Sequence, residues 1–261
     1  MTDAAPDASV PAADEEKMFL VPLRRLIDRM DRQVLLIGHD AEGTTPIFYE
    51  DAVFNIALPW ASFEDYQFRI LSRHAVPEPV FYTQLFDLLP SLAGKVLVDV
   101  GSYTGLHAMV MRHVMSPTRV VMIEPQAVLQ PILHRTIAAN PDGCPVLLLQ
   151  LIIDDGTQAM VRSNTQPNKL HDTSYLRRDG AHLTSVTLDS LSLEDVGLIN
   201  LDIPGPKIYA LRGAEATLRR HHPAVVVNVT GRDVNEMKEF MTGLDYEYVR
   251  IGERFAMFLP A

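Results

Sequence analysis

The pattern of apolar and polar positions is clearest between residues 95 and 114. Four of the five residues from Val96 to Val100 are aliphatic, and Gly101 and Gly105 bracket the turn that follows. A short apolar run ended by turn residues is typical of a buried strand in a parallel sheet. After the turn, apolar residues recur at helical spacing: Leu106, Met109, Val110 and Val114. The segment therefore predicts a strand, a tight glycine turn and a helix.

Further apolar runs predict six more strands of the same sheet, at residues 119–123, 146–153, 197–201, 224–229, 246–251 and 255–259. Helical periodicity predicts helices at 127–139, 208–219 and 235–242. The last two strands flank Gly252 and are expected to form an antiparallel hairpin, while a short segment at 185–188 is expected at an edge. The order of elements predicts an α/β fold with a seven-stranded sheet and helices between its early strands.

The first part of the chain has a different character. Residues 1–17 mix alanine, proline and acidic residues with hardly any bulky apolar side chain, so we predict a disordered acidic tail. From Met18 to Met30, apolar residues follow one helical face and arginines lie on or near the other. We expect this helix to dock on the domain with its arginines in solvent, although a basic amphipathic helix can also lie on an anionic membrane.

Short β-rich segments then predict a small antiparallel sheet, at residues 34–37, 46–49 and 52–58. Together with helices at 63–71 and 80–89, this sheet would form a cap over the open end of the main sheet. Trp60, Phe81 and Tyr82 would line a pocket there or pack in the core, and large aromatic side chains are more often core. We therefore divide the chain into a tail, an N-terminal extension with cap helices, and a main domain, at residues 1–17, 18–93 and 94–261.

The glycine turn and the acid that ends the next strand indicate a ligand site. Gly101 lets the backbone bend sharply beside a ligand, and the amides at the start of the following helix are donors for an anionic group. Glu124 directly follows the strand at 119–123, where a carboxylate can accept both hydroxyls of a ribose. Together, the glycine turn and Glu124 favour a site for a nucleoside-type ligand over a strand–helix–strand unit with a purely structural role. The turn reads G-x-x-x-G, so the three-glycine dinucleotide fingerprint is missing.

Two other polar segments could add to this site. Asp154 and Asp155 follow the third strand, and one of them either contacts an adenine amine or belongs to a solvated turn. Residues 163–180 are polar and irregular, and such a long loop in a compact domain is usually functional or disordered. We expect a lid or substrate loop there, with His171, Asp172, Ser174 and Tyr175. A solvated loop histidine is the commoner role for a residue such as His171.

Composition excludes several classes of function. With 261 residues and 47% hydrophobic content, the chain can bury one α/β core plus an extension. Its net charge of −10, without a basic stripe, argues against nucleic-acid binding. The single cysteine, Cys144, allows neither an internal disulfide nor a thiolate zinc cluster, and no metal is predicted. The N-terminus lacks signal-peptide character and the longest apolar run is too short to span a bilayer, so we predict a soluble cytoplasmic protein.

A series of motifs follows in chain order: VDVGSYTGLHAMV at 98–110, IEP at 123–125, IIDDG at 152–156, SVTLDSL at 185–191, and INLDIPGPKIYALRGAEATL at 199–218 followed by HPAVVVNV. This series resembles the FkbM-like family of S-adenosylmethionine-dependent methyltransferases, over about residues 69–261. The resemblance implies a seven-stranded, Rossmann-like class I methyltransferase fold with S-adenosylmethionine as cofactor. It also implies methyl transfer to a hydroxyl of a small molecule or sugar. The expected partner is a small-molecule or glycan acceptor, and a second copy of the chain is a further candidate.

The resemblance also assigns roles to individual residues. The methionyl part of the cofactor would be surrounded by Asp99, Gly101, Ser102, Tyr103 and Gly105. The ribose would lie at Glu124 and Pro125, and the adenine at Asp154 or Asp155. Asp202 would face the methyl group. A hydroxyl acceptor must lose its proton as it attacks, so the candidate bases are Asp202, His171 and Asp172. His107, on the helix after the turn, is expected to pack beside the cofactor.

Three positions depart from the family pattern. The resemblance predicts glutamates where this chain has Pro204, Lys207 and Asn228. Their replacement favours an alternative function, a catalytically silent module that interacts through its tail and N-terminal helix. The retained Gly101 and Glu124 favour an enzyme instead. A nicotinamide-dependent dehydrogenase ranks third, because its glycine fingerprint is missing.

Overall fold

The computed structural model describes residues 43–59, 70, 73–157, 159–163, 173–177, 183–229 and 234–261. The predicted tail, the helix at 18–30, the strand at 34–37, Trp60 and most of the helix at 63–71 lie outside these residues. Within the described part of the chain, none of the helices has the length and apolar character needed to cross a membrane.

The described residues form eleven strands and six α-helices. The strands are β1 (Thr44–Tyr49), β2 (Ala52–Ala57), β3 (Val96–Val100), β4 (Arg119–Ile123), β5 (Val146–Leu149), β6 (Met160–Ser163), β7 (Ser174–Arg177), β8 (Val196–Leu201), β9 (Ala224–Asn228), β10 (Tyr246–Ile251) and β11 (Phe255–Pro260). The helices are α1 (Pro79–Leu88), α2 (Leu106–Met115), α3 (Gln130–Ala139), α4 (Ile208–Arg212), α5 (Glu215–His221) and α6 (Val234–Thr242).

Seven of these strands form the main sheet, in the spatial order β10-β11-β9-β8-β3-β4-β5. The paired neighbours from β9 to β5 are parallel, and β11 runs antiparallel to both β9 and β10. The predicted seven-stranded α/β sheet and its closing antiparallel hairpin are therefore confirmed. The predicted edge segment at 185–188 is reduced to a single bridge between Ile153 and Val186.

The central strand β3 is buried along its whole length, which explains its nearly continuous apolar sequence. Val96, Val98 and Val100 belong to a core cluster that includes residues of α4, α5 and α6. Side chains alternate between the two faces of a strand, so Leu97 and Asp99 face the other side, where α2 packs. Helices thus cover both faces of the sheet and leave its carboxyl edge open.

The N-terminal hairpin β1–β2 confirms the predicted antiparallel pairing of the segments at 46–49 and 52–58. The amide of Ala57 donates to Thr136 Oγ1 at 3.0 Å, and the amide of Asn55 donates to Asn140 Oδ1 at 3.0 Å. Both acceptors lie on or just beyond α3, so the hairpin packs on this helix. The predicted cap over the open end of the sheet stays a prediction, because most of its helix at 63–71 lies outside the described residues.

Two predicted elements differ in detail from the structure. The helix expected at 208–219 is divided into α4 and α5 at Gly213, where a Cβ would overlap the backbone carbonyl of Asp154. The loop expected at 163–180 is not irregular throughout, since β7 pairs with β6 as an antiparallel hairpin. The pairing of these two strands is a contact that local periodicity does not report.

Candidate functional site

The register of the parallel strands brings several predicted site residues together. Val100 of β3 pairs with Ile123 of β4 and with Leu201 of β8. The residues that follow on these three strands are Gly101, Glu124 and Asp202. They are therefore neighbours at the carboxyl edge of the sheet, where open α/β sheets bind their ligands.

A cavity of about 1230 Å³ lies at this edge. Its walls come from the glycine turn, the residues after β4 and β5, the hairpin β6–β7, and the segment between β8 and α4. A site for one drug-sized ligand usually encloses about 300–1,000 Å³. The cavity is therefore larger than the usual site for one such ligand.

The glycine turn is shaped by close backbone contacts. Gly101 has φ +88° and Gly105 has φ +83°, both in the region that favours glycine. A Cβ on Gly101 would overlap the backbone carbonyl of Asp202. Tyr103 also has a positive φ, +50°, and its side chain packs against a small apolar cluster at Ala57, Leu129 and Ile132. The turn is therefore held in a left-handed conformation beside the cavity.

Glu124 is buried, at 4% exposure, and its carboxylate is held by two backbone amides. The amide of Tyr103 donates to Oε2 at 3.1 Å, and the amide of Gln126 donates to Oε1 at 3.0 Å. Burial raises the pKa of Glu124, although these hydrogen bonds act in the opposite direction. The side chain of Gln126 also hydrogen-bonds this carboxylate. A carboxylate can accept about four hydrogen bonds, so one acceptor position is left, and a ligand that replaces the Gln126 side chain gains a second. Pro125, the next residue, also lines the cavity.

Asp99 lies beneath the turn, at 1% exposure. Asn200 Nδ2 donates to its Oδ1 at 2.7 Å, and Ser102 Oγ donates to its backbone carbonyl at 2.9 Å. Burial raises the pKa of Asp99 despite hydrogen bonding by Asn200 and Ser102. Oδ2 has no hydrogen-bond partner within the described part of the chain. The structure therefore gives Asp99 a supporting position under the turn, with a partner, Asn200, that sequence reasoning missed.

Asp154 and Asp155 are both paired with an arginine that was not predicted as a site residue. Arg177 of β7 donates from Nε to Asp154 Oδ2 at 3.1 Å and from Nη2 to the other oxygen of the same carboxylate. It also forms an ion pair with Asp155, and its guanidinium lies 3.6 Å from the centroid of the Tyr209 ring. Asp154 is buried in this cluster rather than solvated, and the contact of Asp154 or Asp155 with adenine stays a prediction.

Asp202 lies at the end of β8 and lines the cavity. Asn228 Nδ2 donates to its Oδ1 at 2.9 Å, so the asparagine that departs from the family pattern supports the retained aspartate. Pro204 and Lys207, the two other departures, also line the cavity, and Lys207 is 2% exposed. Among the described residues, no group of three or more histidine, cysteine or acidic side chains could hold a metal ion.

The remaining candidates divide into buried packing residues and residues outside the described part. His107 lines the cavity, and its Nδ1 lies 2.8 Å from the hydroxyl of Tyr82. Phe81 and Tyr82 are buried in the core, at 1% and 0% exposure. This confirms core positions for Phe81 and Tyr82, and the packing of His107 beside a cofactor stays a prediction. His171 and Asp172, the predicted loop bases, lie outside the described residues.

The comparisons with known proteins decide the family. The model of the methyltransferase FkbM domain matches residues 99–248, more than half of the chain. The chain belongs to the FkbM methyltransferase family. This family is one of S-adenosylmethionine-dependent methyltransferases, so the predicted resemblance is confirmed. No protein with a curated description matches this chain.

Solved structures resemble the FkbM chain at low sequence identity. An FkbM methyltransferase from Methylobacillus flagellatus KT is 19% identical with a TM-score of 0.46, and the match covers 75% of this chain and 55% of that one. A precorrin-6y C5,15-methyltransferase from Geobacter metallireducens GS-15 is 12% identical with a TM-score of 0.43, covering 70% and 86%. The M. jannaschii TYW2 in complex with AdoMet is 9% identical with a TM-score of 0.42, covering 85% and 89%.

The FkbM chain spans about half the length of the Methylobacillus flagellatus structure. Its sheet order, with β11 antiparallel between β9 and β10, is that of the Rossmann-like class I methyltransferase fold. The fold predicted from the sequence is thereby confirmed.

Proposed function

We propose that this FkbM chain binds S-adenosylmethionine in the cavity and transfers its methyl group to a hydroxyl of a small molecule or sugar. The observation that carries the proposal is Glu124, a buried carboxylate that lines the cavity beside the glycine turn. A ribose presents two adjacent hydroxyl donors, so the donor and acceptor sets match.

The residues of the cavity fit the other parts of the cofactor as well. The turn with Gly101, Ser102 and Tyr103 would hold the methionyl part, and Pro125 would lie beside the ribose. Ile153 and the Arg177 cluster line the same cavity and would border the adenine. The volume beyond one ligand leaves space for an acceptor next to Asp202.

Asp202 is the residue that we assign as the base. When bound, S-adenosylmethionine supplies a methyl group on a sulfonium, which a correctly aligned hydroxyl oxygen can attack. Asn228 holds Oδ1 of Asp202, and we assign Oδ2 to receive the proton of the acceptor hydroxyl. The walls of the cavity would align the acceptor and exclude water from it.

The first experiment tests cofactor binding and transfer together. Isothermal titration calorimetry of the full chain with S-adenosylmethionine should show one site. Incubation with fractionated cell metabolites should then release S-adenosylhomocysteine in the fraction that contains the acceptor. The absence of calorimetric binding would refute the proposal. Binding without transfer to any fraction would instead favour the silent module suggested by Pro204, Lys207 and Asn228.

Substitution of Asp202 tests the assigned base. Asp202→Asn should lower kcat by about 10²-fold or more, the usual contribution of a general base. The affinity for S-adenosylmethionine should stay within about threefold, since the variant keeps the size of the side chain. Asp87→Asn, an exposed position on α1, is the matched control and should change neither quantity. An unchanged kcat in Asp202→Asn would exclude Asp202 as the base.

A further inference from the structure

Arg177, the last residue of β7, contacts two other parts of the chain. Its Nε and Nη2 donate to the two carboxylate oxygens of Asp154, and Nη2 also pairs with Asp155. Its guanidinium lies 3.6 Å from the centroid of the Tyr209 ring. Arg177 thereby joins the hairpin β6–β7 to the loop after β5 and to α4.

The opposite charges of Arg177 and of the two aspartates, Asp154 and Asp155, stabilise this cluster. Burial alone would lower the pKa of Arg177, but hydrogen bonds and charges from Asp154 and Asp155 outweigh it and raise the pKa. Burial alone would raise the pKa of Asp155, but hydrogen bonds from Arg177 and Thr157 outweigh it and lower the pKa. The side chain of Asp154 is 4% exposed, so its charge needs a close counter-ion. A guanidinium that bonds both carboxylate oxygens meets this need with a fixed geometry.

The hairpin that carries Arg177 forms one wall of the cavity. Tyr175 and Leu176 of β7 line it, as does Thr173 just before the strand, at 3% exposure. Burial raises the pKa of Tyr175, and the charge of Glu124 adds to this effect. Tyr175 and Glu124 both line the cavity. The hairpin is a two-stranded sheet separate from the main sheet. Met160 of β6 also forms an antiparallel bridge with Leu183. An isolated hairpin is marginally stable, so we expect contacts outside the hairpin, such as this bridge and those of Arg177, to stabilise it.

We propose that Arg177 is a positioning residue that fastens the hairpin β6–β7 as a wall over the adenosyl half of the cavity. The inference rests on the proposed function, because the molecule behind the wall is S-adenosylmethionine. Arg177 does not contact the reacting atoms in this scheme. It acts by keeping Tyr175 and its neighbours in place, and so it slows the release of the cofactor.

The first test needs no ligand. Hydrogen–deuterium exchange of the free chain should show amides of Ser174–Arg177 exchanging at least about tenfold faster in Arg177→Ala than in the wild type. Amides of Val96–Val100 in the main sheet should be unchanged and serve as the internal control for folding. Arg177→Lys keeps the charge but not the paired hydrogen bonds, so its exchange should be intermediate. Equal hairpin exchange in Arg177→Ala and wild type would overturn the proposal.

The second test measures release of the cofactor. Radiolabelled S-adenosylmethionine is bound to each variant and chased with unlabelled compound, and its dissociation rate should rise about tenfold in Arg177→Ala. Arg219→Ala removes an exposed arginine paired with Glu215 on α5 and is the matched control, with an unchanged rate. An unaltered rate of release in Arg177→Ala would overturn the positioning role. A slower release would overturn it as well, and would mean that Arg177 competes with adenine for Asp154. Failure of the wild type to bind would refute the proposed function, while the exchange test would still decide whether Arg177 fastens the hairpin.

Discussion

Removal of the Glu124 carboxylate tests the site most directly. In the proposed complex, two ribose hydroxyls donate to the Glu124 carboxylate, and one of them takes the place of the Gln126 side chain. A hydrogen bond to a charged group contributes about 1.5–3 kcal/mol, so the loss of both amounts to about 3–6 kcal/mol. At about 1.4 kcal/mol per factor of ten, Glu124→Ala should raise the Kd for S-adenosylmethionine by about 10²- to 10⁴-fold. Glu124→Gln keeps one carbonyl oxygen, so its Kd should lie between that of the wild type and that of Glu124→Ala.

Isothermal titration calorimetry measures this change in Kd. A thermal melting curve is recorded first, to choose a temperature at which each variant is folded. The melting curve is needed because Glu124→Ala also removes the acceptor of two buried amides. Glu194→Ala removes an exposed glutamate that pairs with Arg220, and it should leave the affinity unchanged. A folded Glu124→Ala variant with a Kd within about threefold of the wild type would refute the ribose assignment.

Two further predictions concern pH and the glycine turn. Burial raises the pKa of Glu124 in the folded chain. The stability that this pKa shift contributes is therefore present below the unfolded pKa of Glu124, and it is lost as the pH rises through the folded pKa. The ionised carboxylate is the form that accepts both hydroxyls, so the affinity for S-adenosylmethionine should rise over that same window. Gly101→Ala should destabilise the fold by more than the roughly 1–2 kcal/mol of left-handed strain, because its Cβ would also overlap the carbonyl of Asp202.

Each of these predictions has its own control. For pH, calorimetry of Glu124→Gln should show a flatter profile than the wild type, and identical profiles would show that another group titrates. For the turn, Gly94 is the matched position, since it has φ +78° but nothing within 4 Å of the place that a Cβ would occupy. Thermal unfolding of Gly94→Ala therefore reports strain alone. An equal loss of stability in the Gly94 and Gly101 variants would show that the contact with Asp202 is unimportant.

The sheet and its carboxyl edge could be predicted because their signals are local. Each of β3, β4 and β8 is a short apolar run that ends at a polar or glycine residue. Parallel strands in register bring such ends together, so the neighbourhood of Gly101, Glu124 and Asp202 follows from where the strands stop.

The rest of the site depends on contacts that local pattern does not encode. Arg177 reaches Asp154 across 23 positions of the chain, and it lies in a segment that composition alone describes as a loop. Asn200 and Asp99 are 101 positions apart, and the pairing of β3 with β8 places them opposite each other. The spacing of hydrophobic residues predicts which face of a strand or helix a residue occupies. It does not predict which polar side chain of another element will pair with that residue.

The close approach of Gly213 to the main chain of Asp154 has a consequence for how the proposed site could accept a different substrate. The two backbones are in contact there, so we expect a movement of α4 to carry the loop after β5 with it. The stretch from Pro204 to Lys207 directly precedes α4, whereas Gly213 directly follows it. Under the proposed function, we expect residues of this stretch to differ for a new methyl acceptor while the proposed nucleoside compartment keeps its dimensions.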